Sequence, residues 1–234
     1  MPQNALNTPL KIVYFSDILC VWAYFAQVRL DELKAQFGDT IALDYAFIPL
    51  FGDTAGKIGI GWAERGGFEG FNRHNREVAA RFDHIEINPD LWLSVRPASS
   101  APPHLFLKAV DLWAQENGLA EEGGHSPLER AAWELRRAFF EEGRDIAEHR
   151  IQMEVAEKIS LPVAGIEQMI ENGRAFAALC ADTEARDKFR IDGSPTFLMS
   201  EGRQKLYGNV GYRVIEAVVQ ELLRAPDLTQ ASWC

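Results

Sequence analysis

The first apolar run of the chain, Leu10-Lys11-Ile12-Val13-Tyr14-Phe15, is short and β-rich and reads as a buried strand. Ser16-Asp17-Ile18-Leu19 follow and lead to Cys20. From about Cys20 to Phe37, Val21, Tyr24, Phe25, Val28 and Leu33 recur near helical spacing, and Gly38-Asp39 stops the helix. Ile41 to Ile48 is β-rich again, closed by Pro49-Leu50-Phe51-Gly52. Seven glycines between Gly52 and Gly70 predict a long loop. Helical patterns then cover Phe71–Phe82, Ala101–Asn117, Ser126–Glu142, Ile146–Glu157 and Gly165–Phe189, with Ser126-Pro127 and Glu129 as a good helix start. Strands return at Thr196–Ser200 and Gln204–Tyr207 around a Glu201-Gly202 turn. A last helix, about Val210–Leu223, sets Val214, Ile215, Val218, Val219, Leu222 and Leu223 on one face.

The order is β-α-β, a mostly helical block, then β-β-α. It predicts an α/β chain: a thioredoxin fold carrying an α-helical domain inserted between its two halves. Residues 1–65 and 190–234 form the thioredoxin-like domain in this reading, and 66–189 the helical insertion. The 234 residues, 47% hydrophobic, suffice for a substantial core.

The formal net charge of −10 argues against non-specific nucleic-acid binding. No apolar run reaches membrane-spanning length, and Met1 to Pro9 lacks the apolar core of a secretion signal. Three cysteines make no disulfide framework. The expected compartment is therefore cytoplasmic, where thiols stay reduced and glutathione is abundant. The five histidines lack metal-ligand spacing, so no metal is expected.

Cys20 is the residue with chemistry. A thiol at a helix start faces unpaired backbone N–H groups and the positive end of the helix dipole, which predicts a lowered pKa. The residue three places on is Ala23, so the motif is C-x-x-A. The intermediate cannot resolve within the motif, and another thiol, glutathione in this reading, must release it. Cys180, in an apolar helical stretch, is expected to be buried and inert. Cys234 is expected to be a surface thiol that does not resolve Cys20.

Asp17-Ile18-Leu19-Cys20-Val21-Trp22 resembles the strand-to-helix turn of the DsbA-like thioredoxin superfamily. Arg190-Ile191-Asp192-Gly193-Ser194-Pro195-Thr196-Phe197 resembles its cis-proline loop. The resemblance spans nearly the whole chain, and its nearest branches are the FrnE-like oxidoreductases and the kappa-class glutathione transferases with their hydroxychromene-carboxylate isomerase relatives. Those transferases place Ser where this chain has Cys20, and share the Asp found here at Asp17.

The resemblance implies a cis peptide at Pro195 that presents the Ser194 backbone to a peptide or to glutathione beside Cys20. By similarity to the kappa class, Gly208-Asn209 would receive the γ-glutamyl carboxylate and Lys57 would touch glutathione. Asn209 as a plain helix cap and Lys57 as a solvated lysine are the simpler alternatives. Trp22 forms an aromatic wall for substrate, or is core.

The expected function is a thiol-disulfide oxidoreductase of the DsbA/FrnE type acting through Cys20, with glutathione as co-substrate and glutathione or a thiol/disulfide substrate as partner. A kappa-like transferase or isomerase and a non-catalytic binding module remain as alternatives, and a homodimer stays open.

Overall fold

The structure, a computed structural model, describes residues 8–224. Strand β1 (Leu10–Ser16) is the hub of a four-stranded sheet ordered β2-β1-β3-β4. It runs parallel to β2 (Ile41–Phe47), with Tyr14 opposite Tyr45. On its other side it runs antiparallel to β3 (Thr196–Met199), with Phe15 opposite Thr196. Strand β4 (Gln204–Tyr207) pairs antiparallel with β3. The last pairing of β1 with β3 sets the start of the Asp17–Cys20 turn beside the Ser194–Pro195 loop.

Between β1 and β2 lie α1 (Val21–Phe25) and α2 (Gln27–Phe37). Between β2 and β3 lie α3 (Gly67–Ala79), α4 (Ala101–Glu116), α5 (Pro127–Phe140), α6 (His149–Lys158), α7 (Val163–Glu171) and α8 (Arg174–Phe189). Helix α9 (Tyr212–Leu223) follows β4. One face of the sheet, with Ile12, Tyr14, Phe197 and Met199, packs on Leu30 and Leu33 of α2 and on Ile215 and Val219 of α9. The other face, with Phe15, Ala46 and Leu198, packs on Ala185 and Phe189 of α8. The largest core runs from Ile18–Phe25 into the helical block, reaching Trp92, Phe106, Phe139 and Phe140. Tyr24 of α1 stacks on Phe140 of α5 at 4.8 Å. The helix that begins beside Cys20 is thus held by the helical block as well as by the sheet.

Several boundaries differ from the sequence reading, each for a local reason. The predicted helix over 20–37 breaks at Ala26, which keeps helical angles. Phe25 O, which an unbroken helix would offer to Arg29 N–H, instead lies 3.4 Å from His84 Nε2, and Arg29 N–H bonds Ala26 O at 2.9 Å. The predicted helix over 165–189 is two helices, parted at Gly173 with φ of 79°, a left-handed value that favours glycine. The glycine-rich stretch is not a plain loop: Ala55–Ile60 is a π-helix pinned by buried Ile58, and Ala63–Arg65 a 3₁₀ turn. Cys180 is exposed, not buried, because α8 buries the stripe Ala175, Leu179 and Asp182, and Cys180 lies off it. The apolar side of α9 is wider than its buried stripe, leaving Val214 half exposed. Helix α5 starts as predicted: Ser126 Oγ accepts from Glu129 N–H at 3.2 Å while Glu129 Oε2 accepts from Ser126 N–H at 2.7 Å. Among the described residues no helix is long and apolar enough to cross a membrane, and no cluster of potential metal ligands occurs.

Candidate active site

Cys20 is the N-cap of α1, in extended conformation, and its carbonyl accepts from Ala23 N–H and Tyr24 N–H, both at 3.1 Å. Its own N–H donates to Asp17 O at 3.0 Å, closing the turn. Sγ donates to Ser194 O at 3.3 Å, and the Ser194–Pro195 peptide is cis. Ser194 Oγ accepts from Asp17 N–H at 2.9 Å, so turn and loop are joined twice. The Tyr207 ring lies over Gly193, so that a Cβ there would fall 2.1 Å from a ring carbon and would have to displace that exposed side chain. Pro195 O accepts from Gly208 N–H at 2.8 Å, which ties the end of β4 to the same loop.

The thiol is 6% exposed. Burial pushes its pKa up from the ordinary value, and the Asp17 charge adds to the rise. Hydrogen bonding from Ser194, Ala23 and Trp22 acts the other way and does not win. The lowered pKa expected from helix-start placement is therefore reversed: the neighbours Ile18, Leu19, Val21 and Ala23 exclude the water a thiolate needs.

Beneath the thiol, Asp17 is fully buried yet well partnered. Its Oδ1 accepts from Leu19 N–H at 2.9 Å; its Oδ2 accepts from Phe51 N–H at 2.8 Å and from the Ser100 hydroxyl at 2.7 Å. Burial still raises its pKa to about 6, against those three bonds and the charge of Lys57. His104 Nε2 lies 3.7 Å from Asp17 Oδ1, but this is not an ion pair. Burial, with Arg136 and Lys108 nearby, lowers the His104 pKa to about 3, and Nε2 already accepts from Ile18 N–H at 2.9 Å. The imidazole is neutral, with its proton on Nδ1, which has no partner.

The structure thus brings together Asp17, Cys20, Ser194, Pro195 and Gly208. Lys57 is exposed in the π-helix, with Nζ 4.8 Å over the Phe51 ring, on the side where Phe51 meets Asp17. Trp22 is half-buried, edge-on to Phe25 at 5.7 Å. Asn209 is exposed and is not the cap of α9, which is Gly211; its Oδ1 accepts from Arg29 Nη1. Cys234 lies outside the described residues. Sequence reasoning missed Phe51, Ser100 and Arg29 altogether and gave His104 no role. Ser100 directly precedes the helix predicted from Ala101, where a polar residue is favoured, and that is the one local signal that could have found it.

A cysteine at a helix start facing a cis-proline loop on this sheet defines a thioredoxin-fold protein. The chain belongs to the DSBA-like thioredoxin domain family, whose model matches residues 11–220. Its fold is similar to that of a probable DsbA oxidoreductase from Streptomyces coelicolor, at 16% identity and TM-score 0.69, over 93% of this chain and 92% of that one. It is similar to the cytosolic disulfide reductase DsbM of Pseudomonas aeruginosa, solved with GSH, at 21% identity and TM-score 0.63, over 92% and 100%. It is also similar to a 2-hydroxychromene-2-carboxylate isomerase at 17% identity and TM-score 0.60, over 91% and 95%. No curated protein sequence matches the chain.

Proposed function

We propose that this protein is a glutathione-linked thiol-disulfide oxidoreductase working through Cys20 alone. The observation that carries the reading is Sγ at 3.3 Å from Ser194 O, beside the cis proline, with Ala23 where a second thiol would stand. In the first step the Cys20 thiolate attacks a glutathione mixed disulfide. The substrate S–S bond breaks, a Cys20–glutathione disulfide forms, and the leaving thiolate takes up the proton that Cys20 gave up. In the second step a further glutathione thiolate attacks that disulfide. Cys20 leaves and regains a proton, and glutathione disulfide departs; one reduced glutathione is consumed per turnover, and the substrate disulfide has been exchanged for glutathione disulfide.

Glutathione would lie along the Ser194 backbone, with a carboxylate toward Gly208-Asn209, where Arg29 supplies a guanidinium, and Lys57 on the Phe51 side. The DsbM neighbour solved with GSH supports a thiol partner of this kind, and a reducing, glutathione-rich cytoplasm suits the second step. The test is peptide mapping by mass spectrometry after glutathione disulfide treatment. One glutathione on Cys20, removed by reduced glutathione and absent in Cys20→Ser, is expected. No adduct on Cys20 at millimolar glutathione disulfide would overturn the reading.

One observation favours a second reading. Burial keeps Cys20 a neutral S–H donor, and a donor at that point could hold bound glutathione as its thiolate for addition to a small electrophile. A Cys20→Ser variant that forms no mixed disulfide yet still conjugates or isomerises an electrophile would move the assignment to a transferase or isomerase.

A further inference from the structure

We infer that a cavity between α2 and α5, apart from the Cys20 cleft, binds a small organic cation with an aromatic body. The cavity holds about 270 Å³ and is walled by Tyr24, Val28, Ile85 and Trp133, with Asp31 and Arg130 among its polar groups. That size suits a ligand smaller than a typical drug, whose pockets start near about 300 Å³. Tyr24, Val28 and Asp31 are spaced four and three residues apart, so α1 and α2 present them on one side. The Trp133 and Tyr24 rings are 5.5 Å apart and form the aromatic wall. Val28 is 46% exposed, an apolar side chain left open to the concavity.

The charges decide the sign of the ligand. Glu129 is already neutralised: Lys34 Nζ lies 2.7 Å from it, and Tyr45 OH and Ser126 N–H donate to it. Arg130 is paired with Glu122. Asp31 has only Gln27 Nε2, at 2.9 Å, and forms no ion pair with any described residue. It is the charge left over at the cavity. The adjoining groove, of about 1150 Å³, shares Asp31, His125 and Glu129 with the cavity and is lined by three lysines and one histidine against seven carboxylates. Such a groove draws cations toward its end, where the half-buried Trp133 indole adds a cation–π attraction. An amine on a short arm from an aromatic ring would reach Asp31 while its ring lies against Trp133.

Calorimetry with tryptamine tests this, with indole-3-acetate as the same ring carrying the opposite charge. Tryptamine should bind with submillimolar Kd, at least tenfold tighter than indole-3-acetate, and Asp31→Asn should weaken it at least fivefold. Asp31 is half-buried and Asn keeps its size and its bond to Gln27, so the variant should fold, which far-UV circular dichroism checks. The inference is overturned if tryptamine shows no heat at millimolar concentration, if indole-3-acetate binds as tightly, or if folded Asp31→Asn binds tryptamine unchanged.

Discussion

At the residue scale, two buried groups oppose each other beneath the thiol. Asp17 has a folded pKa of about 6, above its ordinary value of 3.8, so folding takes up a proton there. Its contribution to stability is complete below pH 3.8 and lost as pH rises through about 6. At roughly 1.4 kcal/mol per pKa unit, the loss is about 3 kcal/mol. His104, lowered to about 3, does the reverse: its contribution is complete above about 6.5 and is lost as pH falls. Between pH 4 and 6 the two slopes run against each other. Asp17→Asn removes one slope. Urea denaturation of both proteins from pH 4 to 7.5 should show the wild-type advantage shrinking up to about pH 6 and then holding constant. A difference independent of pH would refute the assignment.

The thiol gives a second prediction at this scale. Because burial outweighs the helix start, the alkylation rate of Cys20 should rise with pH through a midpoint above about 8.5 in the unliganded protein. Peptide mapping keeps exposed Cys180 apart from it. A midpoint below 7 would mean that the thiolate is stabilised after all.

At the element scale, the first turn of α1 carries one thiol, Cys20, with Ala23 a turn later. Ala23 N–H bonds Cys20 O at 3.1 Å, so the two side chains flank one helical turn. Ala23→Cys should close a disulfide between Cys20 and the introduced thiol and gain insulin reduction with dithiothreitol, while losing its advantage on glutathionylated substrates. Absence of that disulfide in the oxidised variant would overturn the placement of Cys20 at the helix start.

What could be read in the sequence follows the range of the interactions. Cys20, Ser194 and Pro195 were legible because each belongs to a short contiguous motif, and the Ser126–Glu129 cap because its bonds span three residues. The break at Ala26 was not legible, since the group beside Phe25 O is His84, 59 positions away. Likewise Asp17 meets Phe51 and Ser100 across 34 and 83 positions, and no local pattern marks such partners. Cys180 sits in an apolar run, and only the docking of α8 decides which stripe of that run is buried.

At the scale of the molecule, the exposed side of β2 is managed by two helices. Lys108 of α4 and Asp182 of α8 pair at 2.8 Å. Lys108 Nζ also donates to Tyr45 O at 3.1 Å, and Asp182 Oδ2 accepts from Phe47 N–H at 2.7 Å. The pair therefore takes the backbone groups that a fifth strand would take. Lys108→Met should cost about 3–5 kcal/mol in chemical denaturation, as breaking a buried pair does. For an isolated ion pair, Lys108→Met with Asp182→Leu would restore stability. Here it should not, because Tyr45 O and Phe47 N–H stay unpaired, and full recovery in the double variant would show the pair to be ordinary. The same arrangement sets an order on folding. Until α8, more than 130 positions beyond β2, has docked, the sheet ends in an open edge to which another copy of the chain can add. Refolding yield should therefore fall with protein concentration, and fall most steeply in the double variant.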